Sequence, residues 1–360
     1  MDSATAAGDP SGDAGRRFQS PQQSFWESAP VLQADLEQVQ AVIDGIARDA
    51  TLSIRDALER TVGNTGKMLR PALVLLSARS GRLRPAGRWR ARPRDALSFS
   101  GQPPEKMYRI AGAVEVLHMA TLVHDDVIDG AATRRGAAAL HTEQGNRRAI
   151  LMGDLLFSSC FSLLAEDATM DNAQVLAAGV RHICESQIDE SLPAFVGPRT
   201  PREYFRQVAA KTALLFMLSC HIGASENDVI IRDAQALRRF GYNLGMAFQV
   251  VDDLLDLTGT PEELGKPVGT DLRSGVPSLP IIYALQRDDG ALSEALQGEI
   301  AERDIPRLVS LISDRGGLAR ARETAERYTE RARRELDTLP PSQARETLSW
   351  LVDVSLNRRR

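Results

Sequence analysis

Cysteine is nearly missing from this chain: three residues in 360, Cys160, Cys184 and Cys220. An odd, widely spaced set of thiols, each inside an apolar helical pattern, argues against a disulfide framework or a zinc site and reads as small buried hydrophobes in a reducing compartment. An excess of positive charge is also lacking, since 44 Lys and Arg face 48 Asp and Glu for a formal net charge of −4. No polybasic face can be drawn from that balance, so nucleic acid is not an expected partner. The N-terminus has no basic region followed by an apolar run, as a signal peptide would. No unbroken apolar run reaches the roughly 20 residues of a membrane span, so no transmembrane segment and a cytoplasmic location are expected. Aromatics make up only 5% against 43% hydrophobic residues in all, and the length suffices to bury one large core or two modest ones.

What is present is helical periodicity. From Pro30 onward apolar residues recur at helical spacing (Val31, Leu32, Leu36, Val39, Val42, Ile43, Ile46), and alternating runs between Asn-Gly or Asp-Gly turns are absent. The expected fold is all-α, a single large bundle around a central cavity, with about ten or more helices of ordinary length. Residues 1–29, rich in Gly, Ser, Ala, Asp, Pro and Gln, read as a disordered tail, and 30–360 as one domain. Within it, residues 79–104 (RSGRLRPAGRWRARPRDALSFSGQPP) accumulate Arg, Pro and Gly and are expected to form a solvated loop insertion without a role of its own.

Two aspartate clusters end apolar helical runs: Asp125, Asp126 and Asp129 in LHMATLVHDDVIDG, and Asp252, Asp253 and Asp256 in AFQVVDDLLDLTG. Each has the form D-D-x-x-D, and at 100° per residue the first and last aspartates share a helix face. One such cluster could be no more than a solvated helix end. Two, each behind a run that must be buried, should line a cavity mouth, where six carboxylates repel each other unless cations are supplied. Hard oxygen ligands select Mg²⁺, which binds through one or two carboxylates plus substrate phosphates. Six carboxylates, a diphosphate of about −3 and three Mg²⁺ leave about −3 for nearby cations to offset. Candidates are Arg134 and Arg135 after the first cluster, Lys211 within the apolar run AAKTALLF, and Lys266 in GKPVGTDL.

With GKMLRP (66–71), DDVID followed by RRG (125–136), GD (153–154), Gln187 with Asp189, KT (211–212), FQVVDDLLD (248–256) and GKPVGTDL (265–272) in this order, the chain resembles the trans-prenyltransferases, the polyprenyl diphosphate synthases, from about residue 60 onward. The resemblance implies a Mg²⁺-dependent prenyltransferase that condenses isopentenyl diphosphate with an allylic diphosphate, and a homodimer. By it, the six aspartates bind metal, about three ions in all, and Arg134, Lys211 and Lys266 hold the allylic diphosphate. Lys67, Arg70, His118 and Arg135 match positions that bind isopentenyl diphosphate, and Thr212 and Gln249 match residues flanking the carbocation. There are departures. Thr65 stands where the family usually has a second glycine before Gly66-Lys67, Met68 replaces a neighbouring cation, Val276 replaces a lysine, and Ser186 replaces a glycine before Gln187.

In the implied mechanism the allylic C–O bond ionises, the double bond of isopentenyl diphosphate attacks, and a proton leaves to the diphosphate, so no histidine base or nucleophilic triad is required. Product length should depend on what blocks the growing tail. Thr121 and Ala120, four and five residues before Asp125 and about 6 to 7.5 Å along the helix, are small, which argues for a long product of about C30–C50. Phe157 or Phe161 on a facing helix could set the floor instead. Geranylgeranyl or farnesyl diphosphate synthesis is the shorter-chain alternative. A class I terpene cyclase would lack the second DDxxD and the isopentenyl site, a non-catalytic partner subunit would tend to lose carboxylates, and an HD-type phosphohydrolase would need more histidines than the five here.

Overall fold

The computed structural model describes residues 25–84, 104–191, 200–260, 268–298 and 300–356. The elements run α1 Pro30–Arg48, α2 Leu52–Gly63, α3 Leu69–Ser80, α4 Glu105–Asp129, the hairpin β1 Thr133–Arg134 and β2 Ala137–Ala138, α5 Leu140–Gln144, α6 Asn146–Asp167 and α7 Met170–Ser191. After them come α8 Pro201–Val208, a π turn Ala209–Ala213, α9 Leu214–Glu226, α10 Ile231–Thr258, α11 Thr270–Arg273, α12 Leu279–Leu285, α13 Ala291–Ala295, α14 Ile305–Asp314, α15 Gly317–Asp337 and α16 Gln343–Leu356. The protein is all-α, as expected, with one two-residue hairpin among the described residues.

Local chemistry sets the boundaries that matter. Pro30 and Pro201 occupy first helical turns, where no N–H is needed. Thr200 and Glu203 close a reciprocal capping box on α8. Gly130, with φ +63°, stops α4 immediately after Asp129, so the first cluster occupies the final helical turn. The main core is built from Leu36 and Ile43 of α1, Leu73 and Leu76 of α3, Ile110 and Leu117 of α4, Leu156 of α6 and Phe216 of α9. A second core joins Met246 and Val250 of α10 to Leu279 and Ile282 of α12 and Ala321 and Ala325 of α15. Helices α4 and α10, which carry the two clusters, are thus the inner members of the bundle. Gly245 lets α10 close on the π turn: a Cβ there would lie 2.6 Å from Ala213 Cα, inside any allowed contact.

Three expectations change. The tail cannot extend to residue 29, because Trp26 is fully buried and Phe25 packs on the core; residues 1–24 lie outside the described residues. The expected insertion at 79–104 begins later. Arg79 and Ser80 complete α3, and buried Arg79 donates to Asp35 at 2.6 Å. Arg82 donates from Nε to Asp233 at 2.8 Å, and Leu83 bridges to Val229. Composition hid these roles because the acidic partners are remote in sequence; residues 85–103 lie outside the described residues. Finally, two helical stretches, Asn146–Asp167 and Pro201–Glu226, are long and apolar enough to cross a membrane by length and composition alone. Counting unbroken apolar runs overlooked them because small polar residues and single charges, Asp154 in the first and Lys211 in the second, interrupt the runs without making them polar overall. Pro201–Glu226 is mostly core, whereas α6 leaves Ile150, Leu151 and Phe161 exposed.

Candidate active site

The two D-D-x-x-D clusters are not equivalent once folded. Half-buried Asp125, at the end of α4, accepts 2.9 Å from Gln187 Nε2 of α7 and lies 4.0 Å from Lys211 Nζ. Burial raises its pKa, Lys211 and Gln187 oppose that rise, and the neighbouring charge of Asp129 adds to it. Asp126 is buried beneath the hairpin and gripped by Arg134, whose Nε donates at 2.9 Å while Nη2 makes a second, shorter contact. Asp129 stands exposed at the rim.

In α10, Asp252 is half-buried while Asp253 and Asp256 are 4% and 2% exposed. Asp253 accepts from Tyr204 Oη at 2.6 Å, Gln249 Nε2 at 3.1 Å and the Leu279 backbone N–H at 3.1 Å. Desolvation still pushes its pKa up to about 7. Asp256 accepts the Asp271 N–H at 3.0 Å and its carbonyl accepts the Gly269 N–H at 2.7 Å, which ties α11 to the end of α10. The second cluster therefore presents Asp252 and uses the other two partly to brace the fold. Lys211 and Thr212 project from the π turn, a geometry that splays side chains and recurs at functional sites. Thr212 Oγ1 donates to Gln249 Oε1 at 2.8 Å, so the expected carbocation-flanking pair is continuous with the Asp253 network. Lys266 lies outside the described residues.

Among the described residues no three Asp, Glu, His or Cys side chains converge into a ready-made metal site. Half-buried Asp125, its pKa raised by burial and by the neighbouring charge of Asp129, instead fits a cation that takes one or two carboxylates and completes its shell from phosphate and water.

A second, cationic site forms between α3, α4 and the hairpin. The Asn64–Met68 turn carries Lys67; Gly66 has φ +68°, and a Cβ there would sit 3.0 Å from Arg135 Cζ. A side chain there would be strained by the left-handed backbone and would have to displace the Arg135 guanidinium. Arg135 packs over Gly66 and donates to the Asn64 carbonyl. Arg70 lies with Cζ 5.0 Å from the Phe216 ring centroid, and burial lowers its pKa to about 10. His118 is held well below its ordinary pKa by burial and by Arg70, Arg135 and Arg134, so it is neutral near pH 7. Thr121 donates to the His118 carbonyl at 2.7 Å, and Ala120 is fully buried. Phe157 stacks on His124 with centroids 5.4 Å apart, while Phe161 is exposed.

Two residues here escaped the sequence reading. Glu115 is buried beside Arg70 and Arg135, which lower its pKa against a larger rise from desolvation. Its Oε2 and Arg70 Nε are both buried without a hydrogen-bond partner among the described residues. A lone carboxylate in the apolar run of α4 carried the same signal as the lone lysine in AAKTALLF. Tyr204 had no signal of that kind, since its partner Asp253 is 49 residues away.

The polyprenyl synthetase family profile matches residues 52–312. Component 2 of the heptaprenyl diphosphate synthase of Geobacillus stearothermophilus is 36% identical over 324 residues, 89% of this chain and 95% of the relative. The chloroplastic solanesyl-diphosphate synthase 2 of Oryza sativa is 34% identical over 305 residues, 84% of this chain and 72% of the relative. In structure, a polyprenyl synthase from Caulobacter crescentus, solved with calcium and isoprenyl diphosphate, superposes with a TM-score of 0.80 at 32% identity, over 94% of this chain and 98% of that one.

Proposed function

The chain belongs to the polyprenyl synthetase family, and from that premise we propose that it is a long-chain polyprenyl diphosphate synthase that adds isopentenyl diphosphate to an allylic diphosphate. The observation that carries the reading is the separation of two anion sites: an aspartate-lined one with Lys211 and Arg134, and a cationic one around Arg70 and Arg135. A cyclase, which ionises one diphosphate and needs no second, has no use for the latter.

Asp125, Asp129 and Asp252 would hold Mg²⁺ together with the allylic diphosphate. When bound, the metal neutralises charge on the departing diphosphate. Lys211 would offset the same charge from the π turn. Arg134, now on Asp126, would share its donors with the diphosphate, an exchange that its planar fork permits. Thr212 and Gln249 would place polar oxygens beside the allylic cation, and the Asp253 network holds them there. Lys67, Arg70 and Arg135 would fix the diphosphate of isopentenyl diphosphate so that its double bond faces the allylic carbon. Neutral His118 would donate one hydrogen bond. The proton lost after bond formation would go to the released diphosphate, which leaves no requirement for a protein base.

Small residues at Thr121 and Ala120, and relatives named for heptaprenyl and solanesyl products, support a long chain. Phe161 is too exposed to floor a tail beside α4. The test is incubation with Mg²⁺, isopentenyl diphosphate and a set of allylic primers, followed by chromatography of the dephosphorylated products. A cyclic hydrocarbon formed without isopentenyl diphosphate would overturn the reading. We further propose that a second copy covers the apolar face of α6. Light scattering should then give twice the monomer mass, and Leu151→Glu should lower it. A wild-type monomer would instead favour a different partner subunit, as the name of the Geobacillus relative suggests for that protein.

A further inference from the structure

We propose that Phe25 and Trp26, ahead of the first long helix, are positioning residues for the isopentenyl diphosphate site, because they set the backbone and side chain of Lys67. The inference rests on the reading of Lys67 as a ligand of that substrate. Trp26 is fully buried, and its Nε1 donates to the Lys67 carbonyl at 2.8 Å across 41 residues of sequence. The Phe25 ring lies under the Lys67 ammonium, 4.6 Å from Nζ to the centroid. One residue thus fixes the main chain and its neighbour aims the charge.

The hook is itself held firmly. Phe25 meets Trp26 edge to face at 4.8 Å, and Trp350 of α16 closes the cluster at 5.3 Å from Phe25 and 5.7 Å from Trp26. Segments far apart in sequence therefore meet beneath one turn. The turn needs such support, because Met68 sits at φ +49°, a left-handed conformation that a non-glycine side chain keeps only where its surroundings over-determine it. Arg135 grips the same turn from the other side through the Asn64 carbonyl. With Thr65 where the family usually has a second glycine, the turn has fewer backbone options and depends more on these grips.

The test uses the full-length chain. Trp26→Phe keeps an aromatic ring in the cluster and deletes the indole donor. Its KM for isopentenyl diphosphate should rise about three- to ten-fold, the range of one lost hydrogen bond, while KM for the allylic primer and kcat stay within about two-fold. Phe25→Leu should raise the same KM about two- to five-fold through the lost cation–ring contact. A role in stability alone would lower the melting temperature and leave both KM values in place; that result, or an equal rise in both, overturns the proposal. Should Trp26→Phe not fold, an unchanged KM for isopentenyl diphosphate in folded Phe25→Leu overturns it equally. If the wild-type chain consumes no isopentenyl diphosphate, the proposed function fails first and is distinguished on that ground.

Discussion

Asp253 makes the metal-free protein less stable as pH rises toward neutrality. Its carboxyl is buried among Tyr204, Gln249 and the Leu279 N–H, and its pKa rises from an ordinary 3.8 to about 7. The native state therefore binds a proton that the unfolded chain releases, so stability is full below about pH 4 and is lost as pH climbs through about 7. Between pH 5.5 and 7 the interval is about 1.5 units, worth about 2 kcal/mol at 1.36 kcal/mol per unit. At about 2 °C per kcal/mol for a chain of this size, the melting temperature should drop about 4 °C. The assay is thermal unfolding in EDTA at fixed protein concentration, with Asp253→Asn beside the wild type. The variant cannot ionise there, so its overall stability falls at every pH through the poorer match to the Leu279 N–H while the pH-dependent drop shrinks. Identical slopes in the two proteins would refute the assignment of the raised carboxyl to Asp253. Other buried groups, Glu115 and His118 among them, contribute equally to both curves and cancel in the comparison.

Glu115→Gln removes a carboxyl whose charge burial disfavours more than Arg70 and Arg135 favour it, so near neutral pH the ligand-free protein should be no less stable than the wild type in thermal unfolding. Inorganic diphosphate should then raise the melting temperature of the variant more than that of the wild type, because it no longer meets a buried acid beside the arginines, and an equal rise in both would detach Glu115 from the site. Chain length separates the two residues behind the first cluster: at 100° per residue Thr121 lies about 40° from the Asp125 face and Ala120 about 140° from it. Thr121→Phe should therefore shorten the product more than Ala120→Phe, as chromatography of the dephosphorylated products would show, and an unchanged distribution in both would move the floor to another helix. Gly245→Ala gains about 1 kcal/mol of helix propensity but drives a methyl into Ala213, a net loss of about 1 to 2 kcal/mol. Chemical denaturation would measure it, and a stabilised variant would show that the π turn is free to move away.

The helical class and the location of both carboxylate clusters were legible because they depend on local periodicity: an apolar run that ends in D-D-x-x-D says where the acids lie whatever packs against them. What each acid does was not legible. Asp252 and Asp253 are adjacent and alike in sequence, yet one faces the site and the other is bound by Tyr204 and Leu279, partners 49 and 26 residues away. The same limit hid Arg79 and Arg82, which look like part of a basic linker until Asp35 and Asp233 arrive from other helices. Trp26 is the sharpest instance, because a tryptophan among Gly, Ser and Gln has no periodic context, and only the folded chain supplies its partners, Lys67 and Trp350.

These particulars divide the labour of the site. Groups expected to touch diphosphate (Lys67, Arg70, Arg135, Lys211, Asp125) fall in short runs whose spacing is readable. Groups that hold them in place (Trp26, Glu115, Tyr204, Asp253) act through contacts that no local pattern encodes. Electrostatics explains why the second set is needed. Two diphosphates must be held close enough to react, and their mutual repulsion is offset only if the cations around each are fixed before binding. Without its substrate Arg70 is disfavoured by burial and by the neighbouring Arg135, and the nearby Glu115 carboxyl opposes the fall in pKa of both arginines. If this cluster holds isopentenyl diphosphate as proposed, Glu115 is a buried acid beside the arginines that the incoming diphosphate supplants as their source of negative charge.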